Sequence, residues 1–430
     1  MSNEDRYYLG SQEILLTEDR PRADFLQRLR QYLDIRNVAF LIGNGAAIPL
    51  GAPTIGDVRA LIPELTKGPC ALCDVAERAT ALATLNTLVP NGSPKLGFEP
   101  LLGTLYHLQS DLATLPGSTA IQINGAAIAQ EQLHYLERAL KKWLFTRCQD
   151  LSFKTPMEKL ADHCELFRRL LLRSPSLPRV KLFTTNYDLL IERALDDLGI
   201  AYFDGFVGTV RRSLRNESYR YDLYFPGDTT EGKVRRVDRV LHLYKVHGSL
   251  NWRRNADGYR LDVVINHGVP DEKEFGEVMV YPSPFKLTEM HGYPYSEMFR
   301  HLSAQLNQPQ SVLFTVGYSF ADDHINRIIY QALSVPSFSL VIVLPTFSVP
   351  ADPAKPGPEH ELWRLINKVN SKRILVLTGG IWEEGKGFTG GAGTMKDFAN
   401  TWMPDIKELD ITAKVKEEAD HASDPPSAMA

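Results

Sequence analysis

The stretch that most constrains this chain runs from Val38, Ala39, Phe40, Leu41 and Ile42 into Gly43-Asn44-Gly45-Ala46-Ala47. Five consecutive apolar residues without alternation read as a strand buried on both faces, the pattern of a parallel sheet covered by helices. The chain then turns through two glycines, whose missing Cβ lets backbone N–H groups come close to a phosphate. Gly51-Ala52-Pro53 makes a second turn, after which Thr54 is placed to cap a short helix over residues 55–62 that Pro63 ends. A glycine turn between a buried strand and a helix suits the pyrophosphate of a dinucleotide. Alone the pattern is short, and it lacks the third glycine of the dehydrogenase fingerprint.

The rest of the chain repeats the theme. Residues 1–36 are polar, with an amphipathic helix expected over 24–33. From residue 69 to about 174 leucines recur at helical spacing (Leu133, Leu136, Leu140, Leu144), broken by loops near Asn91-Gly92 and Pro116-Gly117. A second buried strand, 180–184, ends in Thr185-Asn186-Tyr187-Asp188 and is followed by a helix closed by Gly199. Residues 202–265 read as short strands and turns, and a third strand, 312–316, ends in Gly317-Tyr318-Ser319 before a helix carrying Ile325, Ile328 and Ile329. Strands over 340–344 and 374–377 flank a helix near 359–369, and the second runs into an expected loop, Thr378-Gly379-Gly380-Ile381-Trp382.

Strands alternating with helices give an α/β fold: a Rossmann-like open, mostly parallel sheet with helices on both faces and a large helical insertion. The organisation expected is an N-terminal helical segment (1–36), a catalytic domain (37–405) with a helical insertion (66–175) and a β-rich insertion (202–265), and a disordered tail (406–430). Ligands of such sheets bind beyond the carboxyl ends of the strands, where Gly43 to Ala47, Asn186 and Gly317 to Ser319 all fall.

Composition narrows the class. A net charge of −4 speaks against a global nucleic-acid binder, and no apolar run approaches a transmembrane length. The start has no signal-peptide pattern and the four cysteines (Cys70, Cys73, Cys148, Cys164) are too irregular for a disulfide framework, so the cytoplasm is the expected compartment.

Four motifs in order now form one pattern: Gly43-Asn44-Gly45-Ala46 with Gly51-Ala52-Pro53, Thr184-Thr185-Asn186-Tyr187-Asp188, His247-Gly248-Ser249, and Gly317-Tyr318-Ser319. This pattern resembles the sirtuin superfamily, nearest to the bacterial sirtuin-like NADases of antiphage defence, where Gly-Tyr-Ser-Phe-x-Asp and Asn-Tyr-Asp are typical. The resemblance implies NAD⁺ as substrate, with Gly43, Asn44, Gly45, Ala46, Pro53, Thr185, Gly317, Ser319 and Asp322 around it. The glycine turn would hold the pyrophosphate and Ser319 would lie near the adenosine ribose. Asn186 would position a water at the nicotinamide ribose, His247 would serve as general base on a ribose hydroxyl, and Asp188 would bond the carboxamide or offset developing positive charge.

The departures from the family sharpen the reading. Asn44 stands for the usual alanine, and Pro53-Thr54 lacks the Pro-Asp-Phe-Arg continuation of protein deacylases. Deacylases hold a structural zinc with two Cys-x-x-Cys pairs after the catalytic histidine, whereas no cysteine follows Cys164 here. No zinc is expected, and hydrolysis of NAD⁺ is favoured over deacylation. The resemblance further implies an abortive-infection effector held in check by homo-oligomerisation or by a HerA-like ATPase encoded alongside. A zinc-free deacylase or ADP-ribosyltransferase, and a non-catalytic NAD⁺ or ADP-ribose-binding module, are the alternatives.

Each residue also has a plainer reading. Asn186 suits a helix cap, His247 a satisfied core histidine, and Gly317 with Ser319 a turn. Asp322 and Asp323 suit the first turn of a helix, and Cys70 with Cys73 a helical pair. Residues 205–260 hold twelve Lys or Arg against six Asp or Glu, which admits a nucleic-acid contact but fits a solvated face better.

Overall fold

The computed structural model describes residues 2–53, 58–61, 75–90, 96–114, 120–230, 233–255, 262–265, 293–347, 349–350, 352, 361–369, 371–383 and 387–405. Its centre is a ten-stranded sheet. The strands, in chain order, are β1 (Ser2–Leu9), β2 (Gln12–Leu15), β3 (Asn37–Ile42), β4 (Lys181–Thr184), β5 (Ala201–Phe203), β6 (Val240–Lys245), β7 (Ser311–Val316), β8 (Phe338–Leu344), β9 (Ile374–Glu383) and β10 (Gly387–Gly390). They lie in the order β2-β1-β9-β8-β7-β3-β4-β6-β5, with β10 off β9. The seven strands from β9 to β5 are parallel, and β1, β2 and β10 add on antiparallel. The expected Rossmann-like class therefore holds.

Period-two packing sorts the side chains of each central strand to two covered faces. Val38, Phe40 and Ile42 meet α1 (Asp19–Leu33), α5 (Ala161–Leu170) and α6 (Leu190–Asp197). Ala39 and Leu41 face α7 (Tyr295–Leu306), α8 (Asp323–Ala332) and α9 (Glu361–Val369) on the other side. Phe40 and Phe314 stack across β3 and β7 with ring centroids 4.6 Å apart. A separate apolar cluster forms between α2 (Val75–Leu88), α3 (Phe98–Thr114) and α4 (Gln130–Lys154), and includes Tyr187 and Leu250 from the sheet's carboxyl end. This helical lobe thus sits against the strand ends.

Four expectations need correction. Residues 1–36 are not simply helical: β1 and β2 precede α1, and the consecutive Tyr7, Tyr8 and Leu9 at the end of β1 bury where it pairs with β9. The stretch 202–265 is not one insertion, since β6 is a central strand whose six residues are all buried. Residues 378–382 form part of β9 rather than a loop, paired to β1 and β10. Within the helical block, Ala120–Ile123 and Ala126–Ala129 pair as a hairpin through Asn124-Gly125. Residues 54–57, the two cysteines Cys70 and Cys73, and the tail 406–430 lie outside the described residues, and residues 58–61 form a short 3₁₀ turn. No helix among the described residues is long and apolar enough to cross a membrane.

The arginine-rich stretch is partly structural. Asp222 accepts from both Arg179 (2.9 Å) and Arg236 (2.7 Å), and Asp204 from Arg212 (2.7 Å). Burial works to raise the Asp222 pKa, but those guanidinium bonds hold it below the usual carboxylate range.

On α5, burial depresses the His163 pKa to about 4. An unfolded histidine titrates near ~6.5, so below that pH the unfolded chain binds a proton that the fold refuses. Stability from His163 is present above that range and is lost as pH falls toward 4. Thermal melts between those limits should show a steep fall in Tm with acidification, and His163→Leu should make the slope shallower.

Candidate functional site

One register row sets the site. Val343, Val316, Ile42, Thr184 and Lys245 lie side by side on β8, β7, β3, β4 and β6. The chain leaves β3 toward β4 on one side and returns as β7 on the other, so the crevice opens at a topological switch point. Every candidate residue from the sequence except Pro53 sits within six positions of this row.

Two glycine turns make the floor. A Cβ on Gly45 would come within 2.7 Å of the Gly317 carbonyl oxygen, and one on Gly317 would come within 2.3 Å of Ala46 N. Gly317 also has φ +63°, in the left-handed region. Gly43 N donates to Val316 O and Gly45 N to Gly317 O, each at 2.9 Å. These two amides are thus engaged on the neighbouring strand end, and the missing side chains serve backbone packing. Asn44 donates from Nδ2 to Pro53 O at 2.8 Å, tying the turn to the segment after it.

The polar groups come from three strand ends. Thr184 Oγ1 donates to Ile42 O (2.8 Å) and accepts from Asn186 N (3.0 Å), which sets the loop after β4. Asn186 is 6% exposed; its Nδ2 reaches Gly43 O at 3.4 Å, and its Oδ1 is buried with no hydrogen-bond partner among the described residues. Asn186 does not cap α6, whose N-cap position is Leu189, while Asp188 Oδ1 accepts from Leu190 N at 3.1 Å. Burial raises the Asp188 pKa, and nearby Lys245 opposes that rise. After β6, His247 packs near the rings of Tyr187 and Phe299, and its Nε2 lies 3.1 Å from Asp322 Oδ2. Both side chains are under 10% exposed.

Asp322 therefore does two things. Its Oδ1 caps α8 by accepting from His324 N (3.1 Å) and Ile325 N (3.3 Å), while Oδ2 faces His247. The 317–322 loop is fixed from within. Tyr318 donates to Asn326 Oδ1 at 2.9 Å, and Asn326 Nδ2 donates to Phe320 O at 2.8 Å, where Phe320 holds φ +58°.

These ends enclose a cavity of about 680 Å³. Asn44, Gly45, Pro53, Thr185, Asn186 and Asp188 line it, as do His247, Gly317, Ser319 and Asp322. Gly43 and Ala46 lie beneath rather than on its surface. Sequence reasoning missed two walls. One comes from α4 through Leu144, Cys148 and Leu151, whose spacing of four and three marks a single helix face. The other follows β8 and β10 through Pro345, Phe388 and Thr394, where only the glycine run at 390–393 hinted at close packing. Among the described residues, no group of three or more His, Cys, Asp or Glu is placed to hold a metal ion.

Residues 180–367 match the family model of the SIR2-like domain. That span runs from the start of β4 into α9 and takes in Asn186, His247, Gly317 and Asp322, but not the glycine turn after β3. The chain is similar to a Sir2 homologue solved with NAD (12% identity, TM-score 0.34, covering 80% of this chain and 93% of that one). It is also similar to a histidine-to-asparagine mutant of a Sir2 homologue with ADP-ribose (14% identity, TM-score 0.34, covering 80% and 95%). A third is a triple mutant with 2′-O-acetyl ADP-ribose (14% identity, TM-score 0.33, covering 80% and 95%). No curated protein matches the chain.

The glycine contact yields a test of the floor. Gly45→Ala should lower the unfolding free energy by about 1–3 kcal/mol through forced backbone movement, measured by urea denaturation. Exposed Ser319→Ala should change it by less than about 0.5 kcal/mol.

Proposed function

We propose that this protein is an NAD⁺ glycohydrolase that releases nicotinamide and ADP-ribose. The observation that carries this reading is the buried, unpartnered Asn186 Oδ1 in the same cavity as His247, whose Nε2 stands against Asp322. The match of residues 180–367 to the SIR2-like domain supports NAD⁺ as the substrate.

The chemistry follows from the groups present. The C1′–N bond of the nicotinamide ribose breaks, its electron pair leaves with a neutral nicotinamide, and positive charge builds on the sugar. A water then bonds to C1′, and its proton restores the ribose hydroxyl that His247 has deprotonated, so that the one proton released overall leaves from His247. Asn186 Oδ1 accepts a hydrogen bond from that water without titrating, which orients it at no cost in protonation state. His247 takes a proton from a ribose hydroxyl, and Asp322, 3.1 Å from Nε2, fixes the imidazole's orientation. Asp188, buried at the same strand end, supplies negative charge toward the developing cation. The apolar wall from α4 keeps bulk water away, which strengthens each of these interactions.

From the resemblance to defence NADases we carry forward an antiphage role, in which NAD⁺ depletion ends the infected cell. Self-assembly or a HerA-like ATPase would restrain the enzyme until infection.

NAD⁺ turnover by purified protein, alone and with its genomic neighbour, tests the reading. Asn186→Ala and His247→Ala should each lower turnover by about 10²-fold or more, with nicotinamide and ADP-ribose formed in equal amounts by the unsubstituted protein. Measurable NAD⁺ binding with no cleavage in either setting would overturn hydrolysis in favour of a binding module.

A further inference from the structure

Lys245 is the last residue of β6, only 3% exposed, and two positions before His247. A buried ammonium is costly unless all its protons are used. Here Nζ donates to the carbonyl oxygens of Asp188 and Tyr187 (3.4 Å to the latter) and to Glu192 Oε1 on α6 at 2.8 Å. Two of its three bonds thus land on the backbone of the loop that carries Asn186 and Asp188.

The register makes this a two-sided clamp. Lys245 lies opposite Thr184, which holds the start of the same loop through Asn186 N. Leu250 N also donates to Tyr187 O at 2.9 Å, and Leu189 N donates to Ser152 Oγ of α4 at 3.0 Å. The ammonium faces the carboxylates of Glu192 and Asp188 as well as the two carbonyls, so it balances buried charge while tying down the loop backbone.

We propose that Lys245 is a positioning residue of this site, holding the 186–188 loop so that Asn186 and Asp188 address the cavity. The inference rests on the hydrolase reading above. It assigns to Lys245 no contact with substrate, since the residue does not line the cavity.

The test compares Lys245→Met, the pair-removing Lys245→Met/Glu192→Leu, and Lys245→Arg. Removing both ions together avoids leaving Glu192 as a lone buried charge. In variants that melt cooperatively, kcat for NAD⁺ should fall at least about 30-fold in both methionine variants, while KM and ADP-ribose affinity change less than about threefold. Lys245→Arg should recover most of kcat, because a guanidinium still donates to carbonyls. A kcat within threefold of the unsubstituted protein would overturn the proposal. A loss that merely tracks the folded fraction would do the same, as would failure of all three variants to fold. A crystal structure of a folded methionine variant gives a readout independent of turnover. Displacement of the Asn186 side chain is expected, and an unmoved loop would refute the role. Absence of NAD⁺ cleavage by the unsubstituted protein would instead sink the hydrolase reading, leaving that displacement to decide the positioning role.

Discussion

The constraint on which the site rests is the contact between the turns after β3 and β7. Gly45 and Gly317 leave no room for a side chain on either, and their backbones are joined by a 2.9 Å hydrogen bond. Everything in the cavity is referenced to that contact. The register row from β8 to β6 places His247, Asn186 and Asp322 at fixed heights above the sheet, so a shift at the glycines would move the floor relative to the polar walls.

A second regularity is the way polar groups are shared between structure and chemistry. Asp322 spends one oxygen on capping α8 and turns the other to His247; Asp188 spends one on Leu190 N. Thr184 holds backbone only, and Lys245 divides its bonds between backbone carbonyls and Glu192. Buried polar atoms are expensive unless bonded, so the unpartnered Asn186 Oδ1 stands out as a place where a ligand or water is wanted.

The legible parts of the fold were those with strong local signals. β3, β7 and β8 are predominantly apolar runs, and α6 is closed by Gly199 with φ +61°, as its composition suggested. β1 was missed because its polar first half hides the buried Tyr7, Tyr8 and Leu9. The end of β9 was missed because Thr378-Gly379-Gly380 reads as a turn, whereas Gly379 admits Asp5 against the strand: a Cβ there would meet Asp5 Oδ1 at 2.2 Å. In the site, Asn186 and His247 stood out through their motifs, but nothing local tells that Asp322 turns to His247. That depends on how α8 packs on the sheet, a long-range fact.

The antiparallel pairing of β1 with β9 has a consequence for how the molecule comes into being. Residues 2–9 find their partner only after residue 381 has been made, and Ala392 N, close to the cavity-lining Gly393 and Thr394, donates to Asp5 Oδ1 at 2.8 Å. β7, likewise, must enter between β3 and β8, strands separated by nearly three hundred residues of chain. Such pairings close late because their loops are long. A ribosome-bound fragment that stops before Phe388 therefore lacks the cavity's far wall, and the cavity is enclosed only after the stretch through Thr394 has been made.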